Sequence, residues 1–184
     1  MSLPSFLRLS ALTLAVVLPL TACNERPQTE PSTASPEASA PSSAIERYPA
    51  TLAEGFNFGK PGYPDFLAAV SGLSGHEPWG RWSDGEVVVF QFAQPLPTHF
   101  TLAVTARAFG PNIGAPILVK AGTSEQTFIL PTAEDHSHRL DFILAAPTDR
   151  LEFHVPQPVS PAELNVSDDP RKLGVGFVTL QILP

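Results

Sequence analysis

The strongest constraint on the fold is a series of short β-type runs separated by turn residues. Between residues 65 and 183 about eight such runs, rich in β-branched and aromatic residues, alternate with Gly- and Pro-containing turns, and no segment has a convincing helical pattern. This spacing predicts an all-β domain over residues 45–184, an antiparallel jelly-roll-like β-sandwich. The predicted strands are Phe66–Val70, Glu86–Phe92, Phe100–Ala108, Pro116–Ala121, Gln126–Leu130, Leu140–Leu144, Leu151–Val155 and Gly174–Leu183.

Side chains alternate along a strand, and this assigns faces to two of the runs. In the third run Arg107 falls on the face opposite to the apolar residues, which are Phe100, Leu102, Val104 and Ala106. In the last run, strict alternation predicts one face of Val175, Phe177, Thr179 and Gln181 and an opposite face of Gly176, Val178, Leu180 and Ile182.

Residues 1–22 have the features of a lipoprotein signal peptide. Arg8 supplies a positive charge, and the apolar segment after it is too short to cross a bilayer as a stable helix. The only cysteine, Cys23, directly follows small residues, as in the lipobox of bacterial lipoproteins. We expect acyl chains, palmitate among them, on Cys23 as a membrane anchor. The alternative is an ordinary secreted protein with a free cysteine. Asn24, where an aspartate would indicate inner-membrane retention, favours the outer membrane.

Residues 23–44 are expected to be the acylated cysteine followed by a disordered tether. Pro, Ser, Ala, Thr and Glu dominate this segment, which has no aromatic and no large aliphatic residue that could build a core. The formal charge of −7 becomes −8 when Arg8 is removed with residues 1–22. Because a chain this acidic has no electrostatic footprint for nucleic acid, we predict no nucleic-acid partner, and the sequence indicates no cofactor.

A long loop, Gly72–Gly85 (GLSGHEPWGRWSDG), gathers the side chains of a possible binding site. It contains Trp79 and Trp82, with Arg81 between them and His76 upstream. Indole rings stack on sugar faces, and polar side chains fix the hydroxyl groups, so the loop is typical of a carbohydrate site.

Asn112, in the turn after the Arg107 strand, completes the predicted ligand-binding set of His76, Trp79, Arg81, Trp82 and Asn112. The alternative is structural. In that interpretation the tryptophans plug one end of the sandwich, Arg81 pairs with a carboxylate such as Glu77 or Asp84, and Asn112 only shapes a turn.

A second long loop spans residues 156–172 and contains Asp168, Asp169 and Arg171. We predict a structural ion pair between Asp168 and Arg171 that orders this loop against the sandwich. A calcium site at the two adjacent acids is the alternative, although the spacing of an EF-hand is missing.

No stretch has the pattern of a catalytic or metal site. Ser74 lies two residues after Gly72, but His76 stands where the motif G-x-S-x-G requires glycine. His136 and His138 have no third ligand at usable spacing, so we predict neither catalytic residues nor a metal.

Three separated stretches resemble the C-terminal domain of the phosphoglycerol transferase I family. They are GLSGHEPWGRWSDG, PLPTHFTLAVTARAFGPN and SDDPRKLGVGFVTLQI, and the resemblance covers roughly residues 65–182. That membrane-bound family transfers phosphoglycerol onto osmoregulated periplasmic glucans. The resemblance implies a periplasmic location and an association with envelope glycans. It does not extend to the catalytic domain or the transmembrane helices of the family, so we expect no transferase activity.

The sequence therefore predicts a lipid-anchored, non-enzymatic periplasmic module that binds envelope glycans such as periplasmic glucans. The alternative is a protein-interaction or structural module that docks onto an envelope glycan-processing enzyme.

Overall fold

The computed structural model describes residues 46–184, so the predicted signal peptide, the anchor at Cys23 and the whole tether lie outside the described residues. Within 46–184 the regular structure is β-strand, apart from one 3-10 turn at Gly110–Asn112. A short parallel pair joins β1 (Arg47–Tyr48) to β3 (Tyr63–Pro64). In this part of the chain no helix is long and apolar enough to cross a membrane.

The remaining strands form two five-stranded antiparallel sheets, which we call sheet I and sheet II. Sheet I contains, in spatial order, β10 (His136–Ile143), β7 (His99–Ala108), β12 (Val175–Leu183) and β2 (Phe56–Asn57), with β5 (Arg81–Trp82) also paired to β12. Sheet II contains, in spatial order, β4 (Leu67–Ser71), β6 (Val87–Phe92), β11 (Arg150–His154), β8 (Pro116–Ala121) and β9 (Ser124–Ile129).

The chain crosses between the two sheets at every connection from β4 onward except the hairpin β8–β9. This gives the order β2-β12-β7-β10 in sheet I and β6-β11-β8-β9 in sheet II, with β4 added at the edge. Such an order is the double Greek key of a jelly roll. The predicted antiparallel jelly-roll-like β-sandwich is confirmed.

The core between the sheets is dominated by phenylalanine. Phe90, Phe153 and Phe177 are fully buried and meet edge to face, with ring centroids 5.1–6.1 Å apart. Burying one such ring stabilises the fold by about 1.5–3 kcal/mol, and each edge-to-face pair adds about 0.5–1.5 kcal/mol.

The alternation predicted for the last strand was wrong after a β-bulge. The register of β12 against β7 shifts between Phe177 and Thr179, so that Phe177 and Leu180 both face the core. The bulge adds one residue and reverses the phase of the alternation. Thr179 and Gln181 consequently share the outer face of sheet I with Gly176. The short strands β1, β2, β3 and β5 had no counterpart in the sequence-based prediction.

Candidate ligand-binding face

The loop of residues 72–85 is a β-hairpin that extends sheet I. Main-chain hydrogen bonds run in both directions between Glu77 and Gly80, at 2.8 and 3.0 Å, and leave Pro78 and Trp79 at the turn. The second arm of the hairpin is β5, which pairs with β12. The hairpin therefore carries its two indoles to the outer face of sheet I.

Gly176 forms the floor beneath both indoles. It lies opposite Arg107 on one side and opposite Trp82 on the other, in one row across the sheet. A Cβ atom on Gly176 would be 2.8 Å from Cη2 of Trp79, 2.9 Å from Cγ of Arg107 and 2.9 Å from Cζ3 of Trp82. Only glycine leaves room for these three side chains to lie flat on the strand.

Trp79, Trp82 and Arg107 form what we call the tryptophan cluster. The two indoles are half-buried and meet edge to face, with centroids 5.0 Å apart and planes at 66°. Cζ of Arg107 lies 4.5 Å from the centroid of the Trp79 ring, a cation–π contact, while its Nε donates to Oδ1 of Asp135 at 2.7 Å. One end of the sheet thus presents aromatic surface, a cation and a carboxylate within a small area.

Glu77 fixes the orientation of the Trp79 ring. Nε1 of Trp79 donates to one Glu77 oxygen at 2.8 Å, and Nη1 of Arg171 donates to the other at 3.2 Å. The second long loop is therefore tied to the hairpin through Arg171.

The ion pair predicted between Asp168 and Arg171 has a different acid in the structure. The Asp169 carboxylate accepts hydrogen bonds from Nε and Nη2 of Arg171, the latter at 2.7 Å, and also from the Arg171 main-chain N–H. These bonds hold the pKa of Asp169 below its usual value and raise the pKa of Arg171. Asp168 is exposed, and no ion pair forms at its side chain within residues 46–184. Asp169, two residues before Arg171, reaches the guanidinium, whereas Asp168, three residues before it, does not.

Arg81, a predicted ligand-binding residue, is buried in the structure. It is 4% exposed, and its guanidinium donates to the carbonyl oxygens of Phe58, Lys60 and Gly62, with the shortest bond, to Gly62, at 2.8 Å. Its Cζ also lies 4.5 Å from the centroid of the Tyr63 ring. In this conformation Arg81 shapes the segment 58–62 from inside, and neither Glu77 nor Asp84 is its partner.

Asn112 is likewise fully enclosed. Its Nδ2 donates to the carbonyl oxygens of Phe109 and Gln157, and its Oδ1 accepts from the Gln157 N–H at 2.9 Å. Asn112 thus joins the 3-10 turn to the second long loop and has no free face for a ligand. His76, by contrast, is exposed on the first arm of the hairpin, next to Glu77.

Polar side chains continue across the outer face of sheet I beyond the tryptophan cluster. Two depressions of about 470 Å³ and about 270 Å³ lie on this face and share Thr179 and Gln181 in their linings. Sequence reasoning missed both depressions and the part played by Arg107. The available signal was the alternation along the strand, which placed Arg107 on the outer face. The strand register that brings Arg107 beside the indoles depends on pairing between strands that are distant in the sequence. Within residues 46–184 no three His, Cys, Asp or Glu side chains are grouped for a metal ion.

Comparison with known proteins identifies the family. Residues 42–184 match the sequence model described as a domain of unknown function, DUF7024. The chain belongs to this family. This DUF7024 domain is also 38% identical, over 135 residues, to phosphoglycerol transferase I of Escherichia coli O139:H28 (strain E24377A / ETEC) and of Shigella boydii serotype 18 (strain CDC 3083-94 / BS512). The resemblance to phosphoglycerol transferase I predicted from the motifs is confirmed.

These matches cover 71% of this chain and 18% of each relative, so the chain spans less than a fifth of the length of the transferases. Among solved structures, two single-site mutants of the family 29 carbohydrate-binding module CBM29-2 align with the DUF7024 domain. One has a TM-score of 0.45 and 13% identity, over 71% of this chain and 88% of the module. The other has a TM-score of 0.46 and 14% identity, over 70% and 82%.

Proposed function

We propose that this DUF7024 domain is a binding module and that the outer face of sheet I receives an envelope glycan. The observation that carries the proposal is the placement of the tryptophan cluster and a row of polar side chains on one sheet face. A pyranose ring has the same two-sided chemistry, with apolar C–H groups on its faces and hydroxyl groups around its edge. The face therefore offers contacts to both parts of a sugar.

The tryptophan cluster supplies both kinds of contact at one end of the face. The half-buried indoles of Trp79 and Trp82 present apolar surface to sugar C–H groups. Arg107 and Asp135, which are joined to each other, lie beside the Trp79 ring as hydrogen-bonding groups for hydroxyls, and the exposed His76 is on the first arm of the same hairpin. The bond from Trp79 to Glu77 and the contact with Arg107 hold the ring in place before a ligand arrives, which reduces the entropy lost on binding.

The identity to part of phosphoglycerol transferase I supports the choice of an envelope glycan as the ligand. It also supports a location in the cell envelope, where Cys23 would anchor the protein to a membrane, the outer membrane in our proposal. Transferase activity is not part of the proposal, because the matched segment is a small fraction of those enzymes.

Isothermal titration of the purified protein with periplasmic glucan tests the proposal. We expect saturable binding that Arg107→Gln weakens about tenfold, corresponding to one lost charge-assisted contact of about 1.4 kcal/mol. Arg150→Gln is the matched control, because Arg150 is an exposed arginine on the outer face of sheet II. Absence of binding, or equal affinity of Arg107→Gln and wild type, would contradict the proposal. Co-purification of an envelope enzyme without any glucan affinity would instead favour the protein-docking alternative.

A further inference from the structure

The larger depression on the outer face of sheet I lies beyond the tryptophan cluster and has the features of a separate subsite. It has a volume of about 470 Å³. Its polar lining comes from β1, β2, β12 and the turns on either side of β2, and the side chains that matter are Tyr48, Glu54, Asn57, Lys60, Thr179 and Gln181. A depression of this size is large enough for a small polar ligand.

Two amide side chains in this lining are each fixed by the main chain at one end. Oδ1 of Asn57 accepts from the Gly59 N–H at 3.0 Å, and within residues 46–184 the Asn57 NH₂ group has no hydrogen-bond partner. Nε2 of Gln181 donates to the Ala53 carbonyl oxygen at 3.0 Å, and no donor in the described part of the chain reaches the Gln181 side-chain carbonyl oxygen. These bonds set the orientation of each amide, so that Asn57 presents its NH₂ group as a donor and Gln181 presents its carbonyl oxygen as an acceptor.

Two further groups add to this pattern. Among the described residues, the Thr179 hydroxyl and the Lys60 ammonium have no hydrogen-bond or ion-pair partner. Lys60 Nζ lies 5.7 Å from the centroid of the Tyr48 ring. Glu54 is engaged through one oxygen, because its Oε2 accepts from the N–H and hydroxyl of Thr51.

The buried Arg81 shapes the wall of the depression. Its guanidinium holds the carbonyl oxygens of Lys60 and Gly62, at 3.2 and 2.8 Å, and so fixes the turn that carries Lys60. Arg81 belongs to the same hairpin as Trp79 and Trp82. One hairpin therefore holds both the turn beside the depression and the two indoles of the cluster.

We infer that this depression binds neighbouring hydroxyl groups of a sugar residue. Each sugar hydroxyl both donates and accepts, and the depression presents two donors (Asn57 and Lys60), one acceptor (Gln181) and one group that does both (Thr179). The inference rests on the proposed function and extends it. The β7 partners of Gly176, Thr179 and Gln181 are Arg107, Thr105 and Ala103, so at a strand rise of about 3.3 Å per residue Thr179 and Gln181 lie roughly 7 and 13 Å from Gly176 along the sheet. The ligand is accordingly an oligosaccharide, longer than one ring, that runs along β12.

The test is a titration of ¹⁵N-labelled protein with glucose disaccharides that differ only in linkage, observed by NMR. The Asn57 and Gln181 side-chain amides report on the depression, and the Trp79 and Trp82 indole N–H groups report on the cluster. We expect saturable shifts at both places with at least one disaccharide. Gln181→Leu should remove the shift of Asn57, whereas Gln91→Leu, on the outer face of sheet II, should leave it unchanged.

The two places separate the possible outcomes. Shifts at the indoles alone would overturn the subsite and leave the proposed function standing. Shifts at the depression alone would support the subsite and overturn the role of the tryptophan cluster. If no disaccharide and no periplasmic glucan shifts either place, both proposals are overturned.

Discussion

The indole of Trp79 lies directly over the α-carbon of Gly176, close enough that a Cβ atom there would be 2.8 Å from Cη2 of the ring. The hairpin turn and the last strand of the chain therefore meet through a residue without a side chain. The aromatic end of sheet I depends on this contact, since Trp82 and Arg107 also pack against the place where a Cβ atom of residue 176 would lie.

Replacement of Gly176 by alanine should disrupt the tryptophan cluster. The added methyl group must displace Trp79, Trp82 or Arg107, and overpacking of this kind costs about 1–3 kcal/mol. Chemical unfolding should show that loss of stability. Gly75→Ala is the control, because a Cβ at Gly75 has no atom within 4 Å, and its stability should stay close to wild type. Equal stability of the two variants would show that the indoles do not rest on Gly176.

Replacement of Arg81 by lysine should destabilise the domain despite retention of the charge. A lysine has no planar fork and cannot reach the carbonyls of Phe58, Lys60 and Gly62 together, so buried acceptors lose their donors. We expect a loss of about 2–4 kcal/mol in the free energy of unfolding. Arg150→Lys, at an exposed position, should change it little. If Arg81→Lys unfolds with the wild-type midpoint, the guanidinium does not hold the segment 58–62.

Local patterns were sufficient to predict the sandwich but not the site. Strand Pro116–Ala121 has its predicted bounds, and Glu86–Phe92 differs by one residue, because alternation and turn residues are local signals. The bulge after Phe177 was not predictable in this way, since an inserted residue shows only when β12 is paired with β7. The same limit applies to Arg81, where the sequence shows a cation between two tryptophans and only the tertiary structure shows three carbonyls around it.

Acid should loosen the second long loop, residues 156–172, before the sandwich unfolds. Hydrogen bonds from the Lys172 ammonium and the Ser160 N–H lower the pKa of Glu163 from 4.5 to about 2. Because the folded-state pKa is depressed, the stabilisation is complete above the unfolded pKa of about 4.5 and is lost as the pH falls towards 2. Limited proteolysis with an acid-stable protease should show that cleavage of the loop increases as the pH falls from 4.5 to 2.

Glu163→Gln is the variant that checks the cause. It should be cleaved more readily than wild type at pH 7 and should show a weaker dependence on pH between 4.5 and 2. Glu86→Gln should retain the wild-type profile. If the Glu163→Gln protein has the same pH profile of cleavage as wild type, the Glu163 carboxylate is not the source of the pH dependence.

His138 should make the sandwich less stable at mildly acidic pH. Its ring packs on Phe128 with centroids 4.9 Å apart, and its buried Nε2 has no hydrogen-bond partner among residues 46–184. Burial, with a smaller contribution from the neighbouring His136, lowers the pKa of His138. The unfolded chain therefore binds the proton more tightly, and stability falls as the pH drops below the unfolded value of about 6.5.

Urea unfolding at several pH values between 7.5 and 5 measures this effect. His138→Leu should flatten the pH dependence, whereas His99→Gln, at an exposed position on the same sheet, should preserve it. If His99→Gln flattens the pH dependence and His138→Leu preserves it, His138 is not the titrating group.

Tryptophan fluorescence offers the most direct measurement of the central claim, that the outer face of sheet I binds a glycan. The chain has two tryptophans, Trp79 and Trp82, and both belong to the cluster, so the emission reports on that place alone. Titration with periplasmic glucan should give a saturable change in emission whose midpoint agrees with the calorimetric affinity. Calorimetric binding with no change in emission would place the glycan away from the tryptophan cluster, and the absence of both would contradict glycan binding by this face.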